Sequence, residues 1–224
     1  MPAQPTCWTM IRGAAEGDVS DRDRFARTYL PIVRKYLAAR WPGQSRVQER
    51  EDAAQQVFVE CLKADGVLER AARTLTGGFR AYLYGVIANV ARRTEGKAVR
   101  NVRDEQSVIL ANAQAKDDPA SHVYDREWAR GLVRQAAEHM RQLASAKGEH
   151  AQRRVALLEA RFEDGLPIRE IAEQWGEDPA KLHHAYAEAR KDFKQALVAV
   201  IRFHHESSPA DVERELAEVL AQLA

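Results

Sequence analysis

Hydrophobic residues recur at intervals of three and four along most of the chain, and the strict alternation typical of half-buried strands is absent. Alanine, arginine, glutamate, leucine and glutamine, which all favour helices, are abundant. This spacing predicts amphipathic helices over residues 21–40, 49–64, 79–99, 123–146, 150–162, 180–203 and 210–220. The helix at 21–40 is expected to bury Phe25, Tyr29, Ile32, Val33, Tyr36 and Leu37. The helix at 210–220 is expected to bury Val212, Leu216, Val219 and Leu220. The sequence therefore predicts an all-α fold.

The segment from Gly165 to Pro179 has the pattern of the first half of a helix-turn-helix. Gly176 allows a sharp turn, because a residue without a Cβ enters the left-handed region at no steric cost. Asp178 is expected to cap a second helix, with Pro179 at its first position. The apolar faces are expected to comprise Ile171, Ala172 and Trp175 in the first helix and Leu182, Tyr186, Ala189 and Phe193 in the second.

Breaks in the helical pattern divide the chain into two helical domains joined by a linker. The stretch 104–122 is polar and contains Asp117-Asp118-Pro119, as linkers commonly do. The predicted organisation is an N-terminal segment (1–19), a first domain (20–103), the linker (104–122), a second domain that ends in the helix-turn-helix (123–203) and a C-terminal extension helix (204–224).

The charge is distributed unevenly. A net charge of +1 over 224 residues does not by itself indicate a nucleic-acid-binding protein. Between Arg70 and Arg103, however, eight basic residues are opposed only by Glu95. A local basic zone of this kind is a typical footprint for phosphate.

Composition also restricts the cellular context. No apolar run approaches the roughly 20 residues needed to span a bilayer, and the first residues lack the pattern of a secretory signal. We therefore expect a cytoplasmic protein without membrane insertion. The two cysteines, Cys7 and Cys61, indicate neither a disulfide framework nor a zinc site, and Cys61 is expected to be a buried thiol.

One candidate interface lies on the helix predicted at 49–64. A mixture of carboxamides, a carboxylate and an apolar side chain suits docking on another helix. The alternative, an ordinary solvated helix face, accounts for the pattern more simply. The residues of this predicted face, which points away from Phe58, are Asp52, Gln55, Gln56 and Val59.

The segment 78–97 combines aromatic, amide and basic side chains. Tyr82 and Tyr84 could stack on unpaired bases, and Asn89 could hydrogen-bond a base edge. The alternative is that Tyr82 belongs to the core and that the arginines are merely solvated; spacing alone does not separate the two. The candidate set for nucleic acid is Arg80, Tyr82, Tyr84, Asn89, Arg92, Arg93 and Lys97.

The second helix of the helix-turn-helix offers another polar set, which could face a DNA groove or a protein partner. Its members are Lys181, His183, His184 and Arg190, with Arg169 near the DNA backbone. His184 and Glu188 stand four residues apart, but no third metal ligand is evident and no metal site is expected.

Enzymatic motifs are missing from the sequence: there is no phosphate-binding glycine loop, no nucleophile elbow and no His-Glu-x-x-His. We expect no catalytic residues, no enzyme activity and no cofactor.

Together these residues resemble bacterial RNA polymerase sigma factors of the extracytoplasmic-function group, in a subset with a C-terminal extension. The family pattern Asp-x-x-Gln-x-x-Phe appears as Asp52, Gln55 and Phe58, followed by an aromatic segment from Tyr82 to Asn89. The second-domain pattern Gly-Leu-Ser-x-x-Glu-Ile-Ala appears at 165–172, with Pro in place of Ser. The resemblance covers roughly residues 20–103 and 123–200.

The resemblance implies a role in transcription initiation. The face formed by Asp52, Gln55, Gln56 and Val59 would bind the clamp helices of the β′ subunit of core RNA polymerase. The 78–97 segment would open and hold the −10 element of promoter DNA. The helix-turn-helix would read the −35 element while its domain rests on the β flap, and an anti-sigma or other regulatory partner is left open.

The chain also departs from the family pattern. Tyr82 stands where tryptophan is usual, and Ala185 and Glu188 occupy positions that are commonly basic. Two alternatives therefore stay open. One is a helix-turn-helix regulator that binds duplex DNA on its own, and the other is a degenerate sigma-like protein-binding module.

Overall fold

The computed structural model describes residues 7–62, 78–96, 118–204 and 209–223. Within these ranges the protein is all-α, as predicted, and contains no strand. A short 3-10 turn at Gln44–Arg46 precedes the third helix. The helices are α1 (Cys7–Glu16), α2 (Val19–Arg40), α3 (Val47–Cys61), α4 (Gly78–Thr94), α5 (Ser121–Lys147), α6 (Glu149–Phe162), α7 (Ile168–Trp175), α8 (Pro179–His204) and α9 (Pro209–Leu223).

The chain divides into two compact units. The first unit combines the described residues up to Gly131 with those from Ile201 onward, and the second is Leu132–Val200. The divisions thus fall inside α5 and inside α8. The first 14 positions of the predicted linker, 104–117, lie outside the described residues, whereas its end and the start of α5 belong to the first unit.

A helix that the sequence pattern did not predict, α1, opens the first unit. It buries Cys7, Trp8, Met10 and Ala14. After it, Asp18 caps α2 by accepting a hydrogen bond from the Asp21 amide at 2.9 Å, and this bond holds the pKa of the Asp18 carboxyl below its ordinary value. The six residues expected to form the core face of α2 are all buried: Phe25, Tyr29, Ile32, Val33, Tyr36 and Leu37.

Aromatic rings fill the core of the first unit. Phe79 at the start of α4 packs against Tyr29, with ring centroids 4.8 Å apart, and against Trp8 at 5.3 Å. Trp128 of α5 lies edge-on to His204 at 5.2 Å. Such edge-to-face pairs add to the hydrophobic gain from burial. The core therefore joins α1, α2, α4, the start of α5 and the end of α8.

Helix α4 is the most enclosed helix of the first unit. A helix on a protein surface buries one stripe of residues, whereas a helix that is apolar all round is a core helix. From Phe79 to Ala91 every residue but three is buried, and those three are half-buried: Arg80, Ala81 and Asn89. The segment that was predicted to contact nucleic acid is thus the central helix of its own unit.

Helix α9 turns a different face inward from the one expected. Val212 and Val219 are buried as predicted, but Leu216 is only half-buried and Leu220 is 55% exposed. Glu215 takes the central buried position, at 5% exposure. The reason is electrostatic, because its carboxylate accepts hydrogen bonds from Arg80 and Trp128. A pattern based on hydrophobicity alone places a carboxylate outside.

Helices α7 and α8 lie where the sequence predicted the two helices of a helix-turn-helix. Gly176 ends α7 in the left-handed region, with φ 65° and ψ 34°, and the Glu177 amide donates to the Ala172 carbonyl at 2.9 Å. Asp178 accepts a hydrogen bond from the Ala180 amide at 2.8 Å, which is the expected cap. The core beneath consists of Leu157, Ala160, Ile168, Ile171, Ala172 and Leu182.

We predict that Gly176→Ala destabilises the α7–α8 pair. A Cβ at this position would meet no atom within 4 Å, so the cost comes from the left-handed backbone alone, about 1–2 kcal/mol. Hydrogen exchange of the α7 amides measures this cost locally and should speed up by about five- to thirtyfold. Gly176→Asn is the matched control, because asparagine tolerates this conformation better. Equal exchange in Gly176→Ala and the wild type would contradict the prediction.

Candidate functional site

The candidate polymerase face lies on the outside of α3. Asp52, Gln55, Gln56 and Val59 are all exposed, Val59 to 53%. We call these four residues the α3 ridge. The opposite face of the helix is buried and consists of Ala53, Ala54, Val57 and Cys61. The three- and four-residue spacing of small and apolar side chains thus fixes which face the helix turns outward.

Local contacts hold the α3 ridge in place. Gln48 donates to the Asp52 carboxylate at 2.9 Å along the helix. Phe58 is half-buried and packs edge-on against Phe25 of α2, with ring centroids 5.2 Å apart. The ridge therefore presents hydrogen-bonding and apolar groups on a helix that is anchored to the core.

Arg80 is held inside a cluster of carboxylates. Its Nη2 donates to Asp125 of α5 at 2.8 Å, and its Nη1 donates to Glu215 at 3.2 Å and to Glu218 at 2.7 Å. Burial opposes the charged form, but the charge of Glu215 and the hydrogen bond to Asp125 outweigh it, so the pKa of Arg80 is raised. In this conformation its guanidinium is occupied by protein groups.

Tyr82 lies in the core, at 1% exposure. Its ring packs against Trp8 at 5.8 Å and against Phe79 at the same distance, and its hydroxyl lies beside the thiol of Cys61. Burial is the main reason why the pKa of Tyr82 lies well above its ordinary value. Of the two interpretations of this residue, the core one fits the described conformation, in which the ring is not available for stacking on a base.

Tyr84 is also enclosed, at 6% exposure. Its ring meets Tyr124 at 5.1 Å and Tyr36 at 5.8 Å. Burial, and next the charge of Asp118, raise the pKa of Tyr84 to about 12. The Asp118 carboxylate accepts hydrogen bonds from Tyr36 at 2.5 Å and from Arg40 at 2.6 Å. The residues just before α5 therefore close this side of α4.

The far end of α4 is more open. Asn89 and Arg92 are half-buried, and Arg93 is exposed. The Arg93 guanidinium lies 3.4 Å from the carboxylate of Glu60 on α3. Lys97 and the remaining basic positions up to Arg103 lie outside the described residues. Of the predicted −10 set, the structure thus brings Asn89, Arg92 and Arg93 towards the surface and encloses Arg80, Tyr82 and Tyr84.

All five residues of the predicted −35 set are exposed: Arg169, Lys181, His183, His184 and Arg190. The last four follow one another along the first three turns of α8, where Leu182 and Ala189 face the core. These four residues therefore stand on one continuous helix, the kind of element that reads DNA bases in a groove.

Charges of both signs surround this polar set. The Glu188 carboxylate accepts a hydrogen bond from Lys191 at 2.6 Å, and this bond lowers the pKa of Glu188. Arg153 of α6 forms an ion pair with Glu177 and lies over the ring of Trp175, 4.6 Å from its centroid. The surface is mixed in charge and contains a fixed carboxylate in the middle of the helix.

Sequence reasoning missed the residues that close the first unit. Asp125, Glu215 and Glu218 all bind Arg80, and Trp8 covers Tyr82. The available signal was the spacing of Glu215 and Glu218, which are three residues apart and so share one face of α9. Arg153 was missed as well, and its position beside the α7–α8 turn depends on tertiary packing.

No set of three side chains suited to a metal is found within the described ranges. In the same ranges no helix is both long and apolar enough to cross a membrane. Comparison of the chain with known protein families, with curated proteins and with solved structures found no match. The functional argument therefore rests on the residues themselves.

We predict that Cys61 reacts slowly with thiol reagents in the folded chain. Burial raises the pKa of this thiol to about 12, so at pH 8 about one thiol in ten thousand is ionised, against about a quarter at an ordinary pKa. In a Cys7→Ala background, labelling at pH 8 should be at least about a thousandfold slower than in denaturant.

The same reaction reports on Tyr82, which lies beside Cys61. Any state that withdraws Tyr82 from the core should accelerate labelling. Fast labelling of Cys61 in the free native chain would show that Tyr82 does not cover this thiol in the predominant state of the chain.

Proposed function

We propose that this chain is a sigma factor that binds core RNA polymerase in the cytoplasm and directs promoter recognition, without chemistry of its own. The observation that carries the proposal is the division of α3 into a buried face and the exposed α3 ridge. Two residues of the family pattern, Asp52 and Gln55, stand outside, and the third, Phe58, packs on Phe25. Such an arrangement supports docking of a partner helix without any rearrangement of this surface.

In this proposal the two compact units act as the two domains of the sigma factor. The first would bind polymerase and the −10 element, and the second would use α7 and α8 as a helix-turn-helix for the −35 element. The αL turn at Gly176 and the exposed set from Lys181 to Arg190 support the second assignment. The −35 contact would be modest in strength, because Glu188 repels phosphate.

The −10 function requires a change in the first unit. Arg80, Tyr82 and Tyr84 are enclosed by protein groups, so the described conformation corresponds to a chain that has not engaged single-stranded DNA. Each base captured by stacking contributes roughly 1–3 kcal/mol. Capture of several bases could therefore offset the cost of opening the cover over these side chains.

A second candidate, a regulator that binds duplex DNA alone, is favoured by a specific contrast. The α8 polar set is exposed, whereas the aromatic side chains proposed for single-stranded DNA are enclosed. A gel shift with free protein on genomic duplex fragments separates the two candidates. A regulator shifts its operator without polymerase, whereas a sigma factor needs the core enzyme.

Run-off transcription on genomic fragments tests the proposal directly. The chain should bind purified core polymerase and give transcripts that core enzyme alone does not produce. Binding to polymerase without any promoter-dependent transcript would instead indicate a protein-binding module. No binding to core polymerase would overturn the proposal.

We predict that the double variant Asp52→Lys with Val59→Asp weakens binding to core polymerase by about tenfold or more. Both side chains are exposed, so the folded structure should tolerate the changes and the thermal unfolding midpoint should stay within about 2 °C. Fluorescence anisotropy of a labelled chain titrated with core enzyme measures the affinity. Asp23→Lys, a charge reversal at another exposed position, on α2, is the control and should bind as the wild type does.

We predict that Glu188→Gln strengthens binding to duplex promoter DNA by about two- to fivefold at low salt. The hydrogen bond with Lys191 lowers the pKa of the Glu188 carboxyl and so favours its charged form, and the substitution removes the repulsion between this charge and phosphate. Competition for a labelled duplex by the chain bound to core polymerase provides the measurement. The control is Glu163→Gln, which makes the same change from carboxylate to carboxamide at an exposed position just after α6. Unchanged or weaker DNA binding by Glu188→Gln would argue against α8 as the DNA-reading helix.

A further inference from the structure

The contact between α9 and Arg80 contains more charged groups than are needed simply to cover the hydrophobic core. Two carboxylates of one helix face, Glu215 and Glu218, converge on a single guanidinium at 3.2 and 2.7 Å. Glu215 also accepts a hydrogen bond from the Trp128 indole at 2.8 Å. Asp125 already supplies Arg80 with a carboxylate from α5. The charge of Arg80 thus has a partner without α9.

The orientation of α9 shows that this polar contact outweighs the hydrophobic one. Glu215 is buried while Leu220, four residues beyond Leu216, is 55% exposed. Carboxylates are almost never buried unless they are paired. A helix that served only to cover the core would turn Leu216 and Leu220 inward and leave Glu215 in water.

An arginine fork binds a carboxylate and a phosphate in the same geometry. Arg80 belongs to the set proposed to contact −10 DNA, so a phosphate of that DNA and the α9 carboxylates would require the same donors. Only residues 205–208 separate the end of α8 from the start of α9. A connection this short gives the carboxylates an effective concentration of the order of millimolar.

We propose that α9 is an internal competitor of promoter DNA, whose Glu215 and Glu218 occupy the Arg80 guanidinium in place of a DNA phosphate until DNA displaces them. This inference rests on the proposed function, since it assigns a regulator to the proposed −10 surface. In the free chain α9 suppresses binding of single-stranded DNA. When polymerase presents melted DNA at high local concentration, the phosphate takes the guanidinium and α9 leaves.

The test uses two variants of the full chain that differ in one respect. Glu218→Gln and Glu213→Gln remove the same charge from exposed positions of the same helix, but only Glu218 contacts Arg80. The probe is a fluorescent single-stranded DNA of random sequence, because a phosphate contact is independent of sequence. Anisotropy titrations over a range of salt concentrations give affinity and salt dependence.

We expect Glu218→Gln to bind the probe about fivefold more tightly than the wild type, and Glu213→Gln to bind as the wild type does. Glu215→Gln should give a larger gain, together with a salt dependence steeper by about one phosphate contact. Saturating probe should also accelerate hydrogen exchange of the α9 amides in the wild type. If both exposed variants bind equally, or if α9 stays equally protected with DNA bound, the competitor role is wrong and α9 only closes the fold.

The outcome is separable from that of the proposed function. If the probe displaces α9 in a chain that does not bind core polymerase, the competitor role of α9 is supported and the proposed sigma-factor function is overturned. The opposite outcome is that the chain gives promoter-dependent transcripts while Glu218→Gln and Glu213→Gln do not differ in probe binding or in transcript yield. This outcome would support the sigma-factor function and overturn the competitor role of α9.

Discussion

The first unit depends on the burial of α4. This helix carries aromatic side chains on several sides, and each side is covered by a different part of the chain: Trp8 over Tyr82, Tyr124 over Tyr84, and α9 over Arg80. Hydrophobic packing alone does not set the arrangement, because the buried carboxylate of α9 would be left without its ion-pair partner if it did not lie against Arg80. Loss of one partner from a buried ion pair leaves the other charge unpaired, which costs more than the pair itself contributes. The charged cluster therefore determines where the last helix lies.

The candidate surfaces differ in how much conformational change the protein must undergo before a partner can bind. The α3 ridge and the polar set of α8 are already exposed on regular helices, so a partner could bind them as they stand. The α4 residues are different, since their use requires aromatic rings to leave a packed core. Under the proposed function, such a protein would bind polymerase first and single-stranded DNA later. The order would follow from the energetics of the free chain and would need no additional signal.

Local patterns predicted much of the structure. The core face of α2 and the turn at Gly176 depend on residues close together in sequence, and both were predicted correctly. The role of Tyr82 could not be decided, because its spacing suits a core position and a stacking position equally, and only contact with Trp8 separates them. The burial of Glu215 could not be predicted from the hydrophobic pattern, since it depends on an arginine 135 residues away in the sequence. Helix α1 was missed because no capping or periodic signal of sufficient length precedes Asp18.

The first unit is discontinuous in sequence, and this has a consequence for synthesis. The second unit, Leu132–Val200, is a single uninterrupted stretch, whereas the first is completed by residues from Ile201 onward. A ribosome translating this chain releases every residue of the second unit before those that provide Glu215 to Arg80. During synthesis the first unit therefore stays incomplete until α9 has been translated. Until then Arg80 lacks the carboxylates of Glu215 and Glu218.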